Sequence, residues 1–162
     1  MHARARLLGH PVHQMLVVFP LGLLATAVVF DIIYLIGNSP VMAAVSYWMI
    51  AAGLLGGLLA APFGTIDWLG IPAGTRAKRI GAMHGGGNVL VLLLFALSFF
   101  LRDRDYAPGL AQMVWSFAGA AIAMVTAWLG GELVDRLGIG VDEDASLNAS
   151  SSLNKRHVVA GK

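Results

Sequence analysis

Four stretches of the chain are almost free of charge: residues 15–36, 41–63, 85–101 and 110–129. Each is long enough, or nearly so, to cross a hydrocarbon core that takes about 20 helical residues. The third is short, and residues 81–84 supply its missing turn, which draws His84 into the membrane boundary. The pattern predicts an all-α membrane protein, a four-helix transmembrane bundle.

The connections differ in character. Gly37-Asn38-Ser39-Pro40 carries no charge and reads as a tight turn between antiparallel helices. Residues 64–83 make a longer connection holding Arg76, Lys78 and Arg79, while residues 102–108 are few and carry both charge signs. After Val141 comes the acidic run Asp142-Glu143-Asp144 and then Ser- and Asn-rich chain. Residues 1–141 therefore read as the four-span domain and 142–162 as a polar, disordered cytoplasmic tail. Met1–Arg6 imitates the basic head of a signal peptide. The apolar run after it is longer than a typical signal core, and no small-x-small site follows, so it reads as a retained helix.

Composition agrees: 57% hydrophobic and 12% charged residues, with a mean hydropathy of +0.74, against roughly 25% charged in globular domains. The net charge of +2 gives no support to nucleic-acid binding. With no cysteine, thiolate nucleophiles, iron–sulfur clusters and zinc-thiolate sites are excluded. No Ser/His/Asp spacing or phosphate-cradling glycine loop suggests a hydrolase, and whether the chain is an enzyme stays open.

The placement of charge sets orientation. With four spans, Arg4, Arg6, Arg76, Lys78, Arg79, Arg136, Lys155, Arg156 and Lys162 share one side, and only Arg102 and Arg104 lie on the other. The positive-inside rule puts the richer side, with both termini, in the cytoplasm. Tyr34, Tyr47, Trp48, Tyr106 and Trp115 fall near the outer boundary, Trp68 and Trp128 near the inner one. Asp67-Trp68-Leu69-Gly70-Ile71 after the second span is echoed by Asp135-Arg136-Leu137-Gly138-Ile139 after the fourth. Both odd-numbered spans open with a basic residue followed closely by His. These echoes suggest two helix hairpins in parallel orientation, related by an axis along the membrane normal.

At the cytoplasmic end this topology gathers His10, His13, Asp67, His84, Asn88 and Glu132, drawn from four segments. An ionised side chain deep in lipid costs about 2.5–3.5 kcal/mol on insertion scales, so such residues should face the bundle interior or the interface. Each also has a packing explanation. His10 can cap the first helix, His13 and His84 can bond neighbouring helices, Asp67 can pair with Arg76 or Arg79, and Glu132 can sit at the interface. Their convergence favours a site. His13 and His84 are the expected direct ligands, with His10 a third. His10, His13, His84, Asp67 and Glu132 together are a candidate metal set, since Zn, Fe and Mn accept mixed imidazole and carboxylate ligands. Gly85-Gly86-Gly87 beside His84 would leave room for a flat haem b ring. Asp31, near the outer end, is expected to pair with Arg102 or Arg104.

The stretches Gly9-His10-Pro11-Val12-His13, Phe19-Pro20-Leu21-Gly22 and Gly64-Thr65-Ile66-Asp67-Trp68 resemble a family of bacterial membrane proteins, domain of unknown function 2231. So do His84 with Asn88 and the run Trp128-Leu129-Gly130-Gly131-Glu132-Leu133-Val134. The resemblance covers about residues 7–141 and implies a four-span inner-membrane protein. It implies no activity, and the position that family members often fill with Tyr is Asp135 here. Two functions stay open. One is a redox protein holding haem b or a divalent non-haem metal, with a redox partner. The other is a non-catalytic assembly or transporter-accessory subunit, alone or as a homo-oligomer. The apolar span centres argue against a transport path through one protomer.

Overall fold

The computed structural model describes residues 2–103 and 108–153. A short antiparallel ribbon, β1 (Arg6–Leu7) and β2 (His10–Pro11), precedes the helices. Its two-residue turn puts Leu8 and Gly9 at φ 51° and 89°, the left-handed geometry that follows a strand's twist. Pro11 then leads directly into helix α1 (Val12–Leu16), which continues past Val17 as α2 (Val18–Gly37). Asn38 turns the chain at φ 52°, its N–H bonded to Tyr34 O at 2.7 Å, a left-handed helix stop. Then follow α3 (Pro40–Gly70), α4 (Arg76–Leu101) and α5 (Leu110–Gly131), with a π-helical turn at Glu132–Arg136.

Among the described residues, four helical spans are long and apolar enough to cross a membrane: Val12–Gly37, Pro40–Gly70, Arg76–Leu101 and Leu110–Arg136. The expected all-α bundle is what forms. The connection read at residues 64–83 is much shorter, because α3 runs through Pro62 to Gly70 and α4 starts at Arg76. Hydropathy marks where lipid ends, but the helical hydrogen bonds continue beyond it. Thr75 stops the intervening loop by accepting Lys78 N–H on its side chain at 3.1 Å. Trp68 and Lys78 then lock the elbow. Trp68 Nε1 donates to Lys78 O at 3.0 Å, Lys78 Nζ donates to Trp68 O at 2.8 Å, and the ammonium lies 3.9 Å from the indole centroid.

Packing is strongest within two hairpins, α2 with α3 and α4 with α5, which join through α3–α4 and α2–α5 contacts. The hairpins repeat one another residue by residue. His13 Nδ1 donates to Ala60 O at 3.0 Å, and His84 Nδ1 to Thr126 O at 2.9 Å. A Cβ on Gly53 would come within 2.6 Å of Leu24, and one on Gly119 within 2.9 Å of Phe95. His13, Leu24 and Asp31 each precede His84, Phe95 and Arg102 by 71 positions, the sequence separation of Asp31 and Arg102. On the partner helices Gly53, Ala60 and Gly64 precede Gly119, Thr126 and Gly130 by a second constant offset.

Helices related by a two-fold axis that stand diagonally in a bundle bring equivalent residues face to face. The first-helix pairs do this: His13 meets His84, and Asp31 meets Arg102. The two Asp-x-Leu-Gly-Ile motifs are not equivalent, however. The second lies two positions later than the constant offset would place it, with the wider π-helical turn in between. Leu133, not Asp135, stands at the counterpart of Asp67.

The far end of the bundle is fastened by charge. Arg102 bonds Asp31 through both terminal nitrogens at 2.7 and 2.6 Å, and both side chains are buried, at 1% and 0% exposure. Ser46, Ser98 and Ser116 complete the shell around the guanidinium at 3.0, 3.2 and 3.1 Å. Asp31 thus pairs with Arg102, one of its two expected partners; the other, Arg104, lies outside the described residues, as do Tyr106, Lys155, Arg156 and Lys162.

Candidate functional site

At the opposite end, α1 and α4 bring two imidazoles together across the bundle axis. The ring centroids of His13 and His84 are 6.5 Å apart, with planes at 88°. A carbonyl oxygen can only accept, so each Nδ1 bonded to Ala60 O or Thr126 O carries the proton. In the neutral ring that leaves Nε2 with the lone pair. This is the arrangement that fixes the tautomer of a metal-binding histidine, where the second nitrogen's hydrogen bond to a carbonyl aims the first. Glycine opposite each ring makes room for it. A Cβ on Gly64 would fall 2.7 Å from His13 Cε1, and one on Gly130 would fall 3.1 Å from His84 Cε1.

The environments of the two rings are not identical. His84 Nε2 lies 3.1 Å from Asn88 Nδ2, and Asn88 Oδ1 accepts from Thr126 Oγ1 at 2.9 Å. For His13 Nε2 there is no hydrogen-bond partner among the described residues.

The expected five-residue metal set does not assemble. Among the described residues, no group of three or more His, Asp or Glu side chains is placed to hold a metal ion. His10 precedes the helix in β2, is exposed, and lies 3.2 Å from Ser152 Oγ through Nε2. Asp67 accepts the backbone N–H groups of Arg4 and Ala5 at 2.7 and 3.0 Å, tying the N-terminal segment to the end of α3. Glu132 pairs with Arg76 at 2.6 Å, the corresponding tie between the end of the second hairpin and the start of α4. The two carboxylates thus have matching fastening roles, and neither joins the imidazole pair in a metal-holding group among the described residues. Asp67 does not pair with Arg76 or Arg79.

The glycine run beside His84 is also placed differently from expectation. Gly85 and Gly86 face open space, and only Gly87 packs inward, against Thr126. The room beside the rings comes from Gly64 and Gly130 instead. Thr126 escaped the sequence reading because a threonine in an apolar helix is common. Its signal was the register, four positions before a glycine, just as Ala60 stands before Gly64.

No curated protein and no solved structure matches the chain. A family model described as a predicted membrane protein, DUF2231, matches residues 9–143, from the ribbon that leads into His13 to just beyond the last helical turn. The chain belongs to the DUF2231 family of predicted membrane proteins.

Proposed function

We propose that this protein is a membrane redox component that holds haem b between His13 and His84. The observation carrying the proposal is the paired geometry: equivalent imidazoles on the bundle axis, each with Nδ1 bonded to a neighbouring carbonyl, 6.5 Å apart. Two imidazoles binding one ion from opposite sides, with bonds of roughly 2.0–2.1 Å, would have centroids about 6.4 Å apart. A tetrahedral ion would draw them to about 5 Å. The spacing is within reach of two imidazoles sharing one iron, which haem b would supply. Because Asp67 and Glu132 are engaged elsewhere, only imidazole donors remain, which suits iron in a porphyrin.

Bound haem would supply one-electron chemistry, and the chain's residues would tune and shelter it. His13 and His84 are held in register by Ala60 and Thr126, with surrounding apolar helices excluding water. An absorption spectrum of detergent-purified protein, taken with elemental analysis, tests this. A Soret band with stoichiometric iron is expected. Protein without iron or absorbance would favour the second reading, a non-catalytic assembly subunit. The Asn88 bond to His84 supports that alternative, since it makes the imidazole useful as a helix-to-helix tie.

We place the protein in the bacterial inner membrane with both termini cytoplasmic. Arg4, Arg6, Arg76, Lys78, Arg79 and Arg136 all belong to the histidine end of the bundle, and cationic residues remain on the cytoplasmic side. Reporter fusions after Ser39 should behave as periplasmic and those after Thr75 as cytoplasmic. A periplasmic Thr75 would reverse the assignment.

A further inference from the structure

Asp31 and Arg102 stand at equivalent positions of the repeat, on α2 and at the C-terminal cap of α4, and they meet face to face. Two identical hairpins packed about the same axis would bring two identical residues together there. Instead the two halves present opposite charges, buried and joined through both terminal guanidinium nitrogens. The surrounding hydroxyls do not repeat: the counterparts of Ser46, Ser98 and Ser116 are Gln112, Ala27 and Ile50. Ser46 belongs to the first hairpin, and Ser98 and Ser116 to the second. A buried ion pair is often no more stabilising than well-packed apolar residues of similar volume, so stability alone does not explain it. Selectivity does. Like charges meeting in a dry interior stay uncompensated, whereas the rest of the interface, with Leu24, Ala27, Ile50, Val91 and Phe95 at its core, is apolar. Apolar helices in lipid have no hydrophobic drive toward one neighbour over another.

We propose that the Asp31–Arg102 pair is a recognition code between hairpins. The inner face of the α2–α3 hairpin accepts an α4–α5 hairpin and refuses another α2–α3 hairpin, because two copies of Asp31 would meet there. The α4–α5 hairpin refuses its own kind in the same way, through Arg102. The partner of each face is therefore the complementary half, supplied by the same chain or by a second copy. The code acts during synthesis, when the first hairpin has entered the membrane and the second has yet to follow it. At that stage the apolar face around Leu24 and Ile50 is uncovered, and charge alone keeps two unfinished chains from pairing. This inference concerns the end of the bundle opposite the histidines and is independent of the haem reading.

Thermal denaturation of full-length variants in detergent tests this. Arg102→Asp and Asp31→Arg each set like charges face to face, and each should lower the midpoint by about 10 °C or more. Asp31→Arg combined with Arg102→Asp exchanges the signs and should recover a large part of that loss. A role confined to seating one guanidinium among the serines predicts the opposite, because the hydroxyls are grouped around an arginine rooted at the end of α4. The exchange would then be at least as damaging as the worse of its two components. Partner choice is read separately, by producing the two single variants together under different affinity tags. Each supplies the half that its companion needs, so the two should copurify in equal amounts. Either variant produced with a differently tagged copy of itself should not. An exchanged variant that melts no higher than the single variants would overturn the code. So would single variants that copurify no better with each other than with themselves.

Discussion

Asp31→Ala is expected to cost the fold about 3–5 kcal/mol, the usual consequence of stranding a buried charge. The Arg102 guanidinium has 1% side-chain exposure, and in the variant only neutral hydroxyls would remain around it. Ser46 lies on α3, Ser98 on α4 and Ser116 on α5, while Asp31 lies on α2. The loss would therefore loosen all four helices at that end at once. Removing both charges should hurt far less, since a buried ion pair is often replaceable by apolar residues of similar volume. Asp31→Leu combined with Arg102→Met is thus expected to recover most of the stability lost in Asp31→Ala. Thermal denaturation in detergent reads both. A single variant as stable as the parent would show that the charge pair carries no structural load.

His13→Ala and His84→Ala are each expected to abolish haem retention while leaving the protein folded and inserted. The asymmetry of scale is the reason. Each imidazole's bond to a helix carbonyl is worth about 1 kcal/mol net to the fold, which a four-span bundle tolerates. Removing one of the two imidazoles that would hold the haem, by contrast, would leave it a single protein ligand, too few to survive purification. Because the two residues are equivalent in the repeat, neither single variant should be much milder than the other, and the double variant should be no worse than either. His10→Ala should retain haem, because His10 lies outside the bundle in β2. Retention in either His13 or His84 variant would mean the pair does not share one ion.

Much of the architecture was legible in the chain. Apolar length alone located the four spans, since lipid leaves the backbone little choice but helix. The lengths of the connections were not legible. Residues 64–70 and 76–80 are polar enough to resemble a loop, yet they continue α3 and α4. The repeat was legible only in outline. The conspicuous Asp-x-Leu-Gly-Ile motifs are out of register, while true correspondences such as Leu24 with Phe95 and Ala60 with Thr126 share no residue identity, and those that do are isolated His and Gly positions.

At the site, the histidine pair followed from span geometry, because both imidazoles open an odd-numbered span. The roles of Asp67 and Glu132 did not. Depth in the membrane says nothing about whether a carboxylate turns inward, and the backbone N–H groups of Arg4 and Ala5 and the Arg76 side chain claim these two. The shell around Arg102 was equally hidden, as a lone serine in a membrane helix is unremarkable until a charge lies beside it.

The most direct test of the central claim is the electron paramagnetic resonance spectrum of the ferric protein, loaded with haem and purified in detergent. Two imidazoles on opposite sides of one iron give a low-spin signal, and ring planes near perpendicular, as at the observed 88°, make that signal strongly anisotropic. The account predicts this spectrum for the parent and no bound haem iron in His13→Ala and His84→Ala. A high-spin signal in the parent, or a low-spin signal that survives either substitution, would contradict it.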